Sequence, residues 1–129
     1  MLALSVYFGL AHYHVVTRGQ RALNFAHKEV GLWFRVHTPE GVSIMSRDLA
    51  ISLYAERGFV ASPRAAYAEY LDYARRKGAE YLVVDERELR ALRPYLSFLL
   101  NDREPPPELE PVFGAADAHG RTLAYRIKD

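Results

Sequence analysis

Short β-branched runs alternate with amphipathic helical stretches, and this alternation constrains the fold more than any other feature of the sequence. The clearest run, residues 81–84, is uninterrupted and apolar, and it stops at the charged stretch 85–88. Such a run is typical of a strand that is buried on both faces of a parallel sheet. We therefore predict a central parallel strand here, flanked by a strand at 42–46 or at 59–61.

Helical stretches separate these strands. Residues 21–37 repeat apolar side chains near the 3.6-residue period, which predicts the first helix. Ser46 or Asp48 can cap a second helix after the first strand. Ser62 and Pro63 fit the N-cap and the first position of a third helix.

The last third of the chain predicts a different arrangement. A fourth helix should break or restart at Pro94, because proline removes a backbone donor. Beyond a proline-rich stretch, the runs at 111–116 and 122–127 predict an antiparallel hairpin. The order of elements predicts one soluble, three-layer α/β domain over residues 18–129, with a mostly parallel sheet and the antiparallel C-terminal hairpin at its edge.

The N-terminal segment, residues 1–17, contains no Asp, Glu, Lys or Arg. Three interpretations stay open: the end of a transmembrane helix whose start is missing, a buried part of the soluble fold with a further strand within 6–16, or a poorly cleaved signal. We favour the first and expect a helix. Its bare apolar face should bury itself against a second copy of the chain, giving a homo-oligomer through residues 1–17.

Composition excludes several functions. The 17 basic and 16 acidic residues leave a formal charge of +1, which offers no electrostatic case for binding nucleic acid. The glycine-rich loops that bind nucleotide phosphates do not occur, so we predict no cofactor. The sequence has no cysteine, and its histidines are scattered, so we predict no metal site. The histidines are His12, His14, His27, His37 and His119.

Charged residues follow the predicted strands. Asp85 ends the central strand, where open α/β sheets commonly bind ligands, although Asp85 and Glu88 also have the spacing of a capping box. We favour capping and predict no catalytic residue. Arg47, Asp48, Asp85 and Glu86 are the candidate binding residues. A small metal-dependent hydrolase or nuclease that uses Asp48 and Asp85 is a minor alternative.

Two stretches, 28–63 and 69–94, carry a recognisable order of motifs. The first includes a "WF…TP.G" pattern and a "YA.R" segment, and the second includes "YLVVDER". The matching residues of the first stretch are Trp33, Phe34, Thr38, Pro39, Gly41, Tyr54, Ala55 and Arg57. This pattern resembles the extracytoplasmic C-terminal domain of multi-spanning glycosyltransferases of the dolichyl-phosphate-mannose-protein mannosyltransferase type, over roughly residues 25–129.

The resemblance implies a membrane location, with this domain on the extracytoplasmic face of a glycosyltransferase that uses a polyprenyl-phosphate sugar donor. It implies no catalytic residue here, because the family's catalytic acid lies among the membrane helices. The expected partners are the transmembrane portion of the glycosyltransferase and an acceptor protein or glycan. The alternative function is a free-standing small α/β module that binds a ligand or a partner.

Overall fold

A computed structural model describes the backbone of Tyr13–Val15 and all of residues 25–129. Its strands are β1 (Tyr13–Val15), β2 (Ser43–Ser46), β3 (Gly58–Ala61), β4 (Tyr81–Asp85), β5 (Leu109–Asp117) and β6 (Gly120–Ile127). Its helices are α1 (Phe25–His37), α2 (Leu49–Ala55), α3 (Tyr67–Arg76) and α4 (Glu86–Ala91), followed by a 3₁₀ helix at Pro94–Leu100.

The strands form one mixed sheet in the order β1-β5-β6-β4-β2-β3. β2 pairs in parallel with β3 and β4, and β1 pairs in parallel with β5, whereas β6 runs antiparallel to both β4 and β5. The predicted α/β class, with a mostly parallel sheet and an antiparallel C-terminal hairpin, is confirmed. The run at 81–84 is the interior strand predicted, parallel to β2, although its other neighbour, β6, runs antiparallel to it.

Helices cover both faces of the sheet. On one face, α1 and α2 pack on Ile44, Val83 and Ala124. On the other face, α3, α4 and the 3₁₀ helix pack on Leu82 and Val84. Neighbouring residues of β4 point to opposite faces because side chains alternate along a strand, so its unbroken apolar run serves two cores. The three-layer prediction is therefore confirmed.

Part of the N-terminal segment can be compared with its prediction. Tyr13–Val15 is a strand, β1, which runs parallel to β5. The expected helix is wrong at these three residues, because their backbone pairs with a sheet edge instead of with itself. The rest of residues 1–17, and residues 21–24 of the first predicted helix, lie outside the described residues. Within the described part of the chain, every helix is too short or too polar to cross a bilayer.

The start of α3 also differs from its prediction. The helix begins at Tyr67 with Ala66 as its N-cap, and no side chain caps it. Ser62 instead continues the strand pairing, since its N–H donates to the Ser46 carbonyl over 3.0 Å. The carbonyl oxygens of Ser62 and Pro63 accept hydrogen bonds from the Arg93 guanidinium. These tertiary contacts hold the backbone extended where local sequence favours a helix.

Helices α1 and α2 pack closely against each other. A Cβ atom added at Gly31 would lie 2.5 Å from the Tyr54 Cβ and 2.8 Å from the Ile51 carbonyl oxygen, so only glycine allows this approach. At the other end of the contact, the Arg57 guanidinium donates to the carbonyls of Arg35 and Ala55. The two helices are thus held together at both positions.

Candidate functional site

The connections that leave β2 and β4 define a crevice in the sheet. These strands are parallel neighbours, but β2 continues into α2 on one face, whereas β4 continues into α4 on the other face. Such a point, where neighbouring strands send the chain to opposite faces, is where open α/β sheets bind ligands. The site below lies at this position.

An aspartate stands after β2 and another at the end of β4, and each caps the helix that follows. Asp48 Oδ1 accepts a hydrogen bond from the Ala50 N–H over 2.9 Å. Asp85 Oδ1 accepts one from the Glu88 N–H over 2.6 Å. Both aspartates were predicted as candidate binding residues, and the capping role predicted for Asp85 is confirmed.

A histidine joins the two aspartates. His27 lies in the first turn of α1, with Nδ1 3.1 Å from Asp48 Oδ2 and Nε2 3.1 Å from Asp85 Oδ2. Its side chain is 10% exposed, and that of Asp85 is 13% exposed. Each aspartate therefore uses one oxygen to cap a helix and the other to bind the imidazole ring.

The charges of this cluster favour a protonated histidine. Burial alone would lower the pKa of His27, but the hydrogen bonds and charges of Asp85 and Asp48 outweigh burial and raise that pKa above its usual 6.5. Burial would raise the pKa of Asp85, but His27, the Glu88 N–H and Arg47 hold it below its usual value. Two carboxylate partners require a donor on each ring nitrogen, which only the imidazolium has.

The turn between β5 and β6 closes one side of the crevice. Asp117 Oδ2 accepts a hydrogen bond from the Ala26 N–H over 2.9 Å, which ties this turn to the start of α1. Asp117 Oδ1 accepts another from the His119 N–H over 2.8 Å. Together with Gly120 and Thr122, these elements enclose a cleft of about 280 Å³ above the His27 cluster.

Three arginines from three elements also line this cleft. Arg47 precedes α2 and is exposed, and among the described residues it has no hydrogen-bond partner. Arg87, on α4, is exposed as well and makes a 3.3 Å contact with His119 Nδ1. Arg121, on β6, is half-buried beside Glu86. The cleft therefore presents guanidinium groups from several directions.

The four predicted binding residues do not all occupy the cleft. Arg47, Asp48 and Asp85 line it together, whereas Glu86 lies behind it. Glu86 Oε1 accepts hydrogen bonds from the Arg121 backbone and side chain, and Oε2 accepts from Arg90. Although burial would raise the pKa of Glu86, these donors hold it below its usual value. Glu86 thus positions Arg121.

Sequence reasoning missed the histidine and the hairpin turn. His27 belongs to no motif with Asp48 or Asp85, and only packing brings it between them. Asp117 and His119 lie in the connection of the predicted hairpin, and the sequence suggested no binding role for them. Residues 25–129 contain no group of three or more His, Asp or Glu side chains arranged to hold a metal ion.

Fold and site together define a small three-layer α/β domain with a charged cleft at the switch point of its sheet. Neither the models of known protein families nor the sequences of curated proteins match this chain.

Proposed function

We propose that this chain is a non-catalytic binding domain whose ligand occupies the cleft above His27. The observation that carries the proposal is that every carboxylate oxygen of the two strand-end aspartates already has a partner within the fold. Both oxygens of Asp48 and both oxygens of Asp85 accept hydrogen bonds from a helix N–H or from His27. The position is that of a ligand site, but the acids in it are structural.

A catalytic role would require a group that can exchange a proton with a substrate. A general base needs a free lone pair within hydrogen-bond reach of the proton that it removes. Both ring nitrogens of His27 are directed at carboxylates, and its raised pKa favours the form without a lone pair. The same contacts argue against the metal-dependent hydrolase, because Asp48 and Asp85 are held by the histidine.

We also propose, from the resemblance of residues 25–129, that the domain belongs to the extracytoplasmic side of a membrane glycosyltransferase that uses a polyprenyl-phosphate sugar donor. In that setting the cleft would bind part of the acceptor, and the parent protein's membrane portion would perform the transfer. A role as a free-standing ligand-binding module uses the same cleft and is the alternative.

The binding proposal is tested by NMR on the whole chain. Backbone amide signals are followed while a neutral sugar, a sugar phosphate, a carboxylate and a short peptide are added separately. We expect at least one probe to shift the signals of Asp48, Asp85 and Gly120. The signal of Gly78, which lies before the opposite, N-terminal end of β4, should stay unchanged. Shifts confined to surfaces away from the cleft would overturn the proposal.

The non-catalytic part needs a separate assay. The chain is incubated with 4-nitrophenyl phosphate and with 4-nitrophenyl glucoside, and product release is compared with that of Asp85→Asn. We expect no turnover by either protein. Turnover by the wild type that disappears in Asp85→Asn would show that Asp85 is catalytic. For the glycosyltransferase setting, the coding frame upstream of Met1 is read for apolar spans, and an upstream frame without such spans favours the free-standing module.

A further inference from the structure

We infer that the cleft binds a single phosphoryl group, as a phosphate monoester whose organic part lies over the adjoining groove between α4 and the β5–β6 turn. This inference rests on the proposed binding function and adds the chemical class of the ligand. It follows from three features of the described residues: the unused donors in the cleft, their directions, and the shape of the surface beside it.

Two arginines of the cleft, Arg47 and Arg87, keep most of their N–H groups unused. The carboxylates of Asp48, Asp85 and Asp117 each accept two hydrogen bonds from within the fold. Arg47 and Arg87 are exposed at the rim, and a guanidinium offers five N–H donors. A ligand that bonds to these two guanidiniums must bring acceptors, and the strongest acceptors for guanidinium are phosphate and carboxylate oxygens.

The directions of the arginines favour phosphate over carboxylate. Arg47 comes from the β2–α2 junction and Arg87 from α4. A carboxylate presents two oxygens in one plane, which suits one bidentate arginine. Donors from two separate elements suit a tetrahedral group, whose oxygens do not lie in one plane. Arg121 also lines the cleft, where Glu86 accepts hydrogen bonds from its backbone and its side chain.

The charge balance limits the number of phosphoryl groups. Within the cleft, the protonated His27, Arg47 and Arg87 oppose three aspartates, and Arg121 is balanced by Glu86. The formal charges cancel, so no long-range positive field attracts a polyanion. One phosphoryl group bound by short-range hydrogen bonds fits this balance, and a chain of phosphates does not.

A second, shallower depression of about 480 Å³ continues from the cleft. The two share Arg87, His119 and Gly120, and the second extends between Ala91 on α4 and Ala118 in the turn. Its small apolar side chains leave room for an organic group attached to the phosphate. The ligand is therefore extended, with an anionic end in the cleft and a less polar part outside it.

The experiment measures dissociation constants by NMR titration of the whole chain at constant ionic strength. The probes are inorganic phosphate, glucose 6-phosphate and glucose, and a parallel arm uses phosphatidylcholine vesicles with and without phosphatidic acid. We expect glucose 6-phosphate to bind more tightly than phosphate, and glucose not to bind. Preferential binding to phosphatidic acid vesicles would identify a lipid as the source of the phosphate monoester.

Variants locate the phosphoryl group. Each of Arg47→Gln and Arg87→Gln should weaken glucose 6-phosphate binding about tenfold or more, the effect of one lost charge-assisted hydrogen bond. The matched control is Arg76→Gln, which removes an exposed arginine of α3 that pairs with Asp72 far from the cleft, and it should leave binding unchanged. Ala91→Tyr should fill the outer groove and weaken glucose 6-phosphate binding but not phosphate binding.

The outcomes separate the two proposals. Binding of glucose in the cleft without any preference for its phosphate would overturn the phosphoryl inference but leave the binding function intact. Phosphate binding that is equal in Arg47→Gln, Arg87→Gln and Arg76→Gln would overturn the inference too, since the anion would then lie elsewhere. If every probe shifted only signals distant from the cleft, both proposals would fail.

Discussion

Two clusters of buried charge lie next to each other in this domain and do different things. One is His27 between Asp48 and Asp85, and the other is the Glu88–Arg93 pair, with Glu88 Oε2 3.0 Å from Arg93 Nη1. They are joined through the cap at α4, because the Glu88 N–H donates to Asp85. The first cluster opens to a cleft, whereas the second is sealed beneath α4.

The sealed pair stabilises the backbone arrangement around it. The side chains of Arg93 and Glu88 are 6% and 1% exposed, and Arg93 also donates to two carbonyls before α3. Burial and the Asp85 charge raise the pKa of Glu88 to about 7, while Arg93 opposes this change. A buried charge in a small domain can therefore organise loops or form the floor of a binding site, and solvent access distinguishes these two roles.

A variant that breaks the sealed Glu88–Arg93 pair should cause the greatest loss of stability. Arg93→Ala should lower the free energy of unfolding by about 3–5 kcal/mol, since it leaves a buried carboxylate without its partner. Urea denaturation measures the change. The control is the double variant Glu88→Gln with Arg93→Met, which removes both charges and should recover much of the loss. A small effect of Arg93→Ala would mean that the two clusters do not differ in this way.

Substitution of Asp85, whose cap on α4 joins the two clusters, should cause the next largest loss of stability. Asp85→Ala removes a helix cap and a hydrogen bond to the charged His27, which together should cost about 2–4 kcal/mol. Asp85→Asn keeps an acceptor for the Glu88 N–H but loses the negative charge beside His27, so it should cost less. Equal losses in the two variants, measured by urea denaturation, would show that capping contributes little.

A smaller loss of stability should follow from a substitution that displaces α1 without changing a charged residue. Gly31→Ala places a Cβ against Tyr54 and the Ile51 carbonyl, and overpacking of this kind costs about 1–3 kcal/mol. Because Gly31 lies one turn after His27, the helix should shift and lengthen the contact between His27 and Asp48. The His27 ring signals in an NMR spectrum should then move, whereas Gly41→Ala, which has open space around it, should leave them unchanged.

The smallest effect should be the gradual change with pH in the stability that the His27 cluster contributes. The folded-state pKa of His27 is raised, so its contribution to stability is complete below the unfolded value of 6.5 and is lost as pH rises through the folded value. The folded-state pKa of Asp85 is lowered, so its contribution is present above 3.8 and is lost as pH falls through the folded value. The stability difference between wild type and His27→Gln should be greatest between 3.8 and 6.5.

Glu88 also affects how stability depends on pH. Because its pKa is raised in the folded chain, the folded state loses stability as pH rises. This contribution is common to the wild type and to His27→Gln, and it cancels when their difference is plotted against pH. A difference that stays constant from acid to alkaline pH would contradict a protonated His27 in the folded chain.

Local signals predicted much of this architecture from the sequence. The unbroken run before Asp85 predicted an interior strand, Pro94 predicted the break between α4 and the 3₁₀ helix, and the C-terminal runs predicted the hairpin. Each depends on neighbours within a few residues. The start of α3 was predicted wrongly because Arg93, about thirty residues away, holds Ser62 in an extended conformation.

Local sequence patterns establish the alternation of strands and helices, and they place Arg47, Asp48 and Asp85 at the carboxyl ends of the parallel strands. The roles of those residues depend on contacts between distant segments of the chain. The approach of α1 to α2 at Gly31 brings His27 between the two aspartates, and the hairpin adds Arg121 from the end of the chain. A helix cap joins residues only two or three positions apart, so sequence spacing predicts it. A cleft requires side chains from distant segments, and packing decides whether they meet.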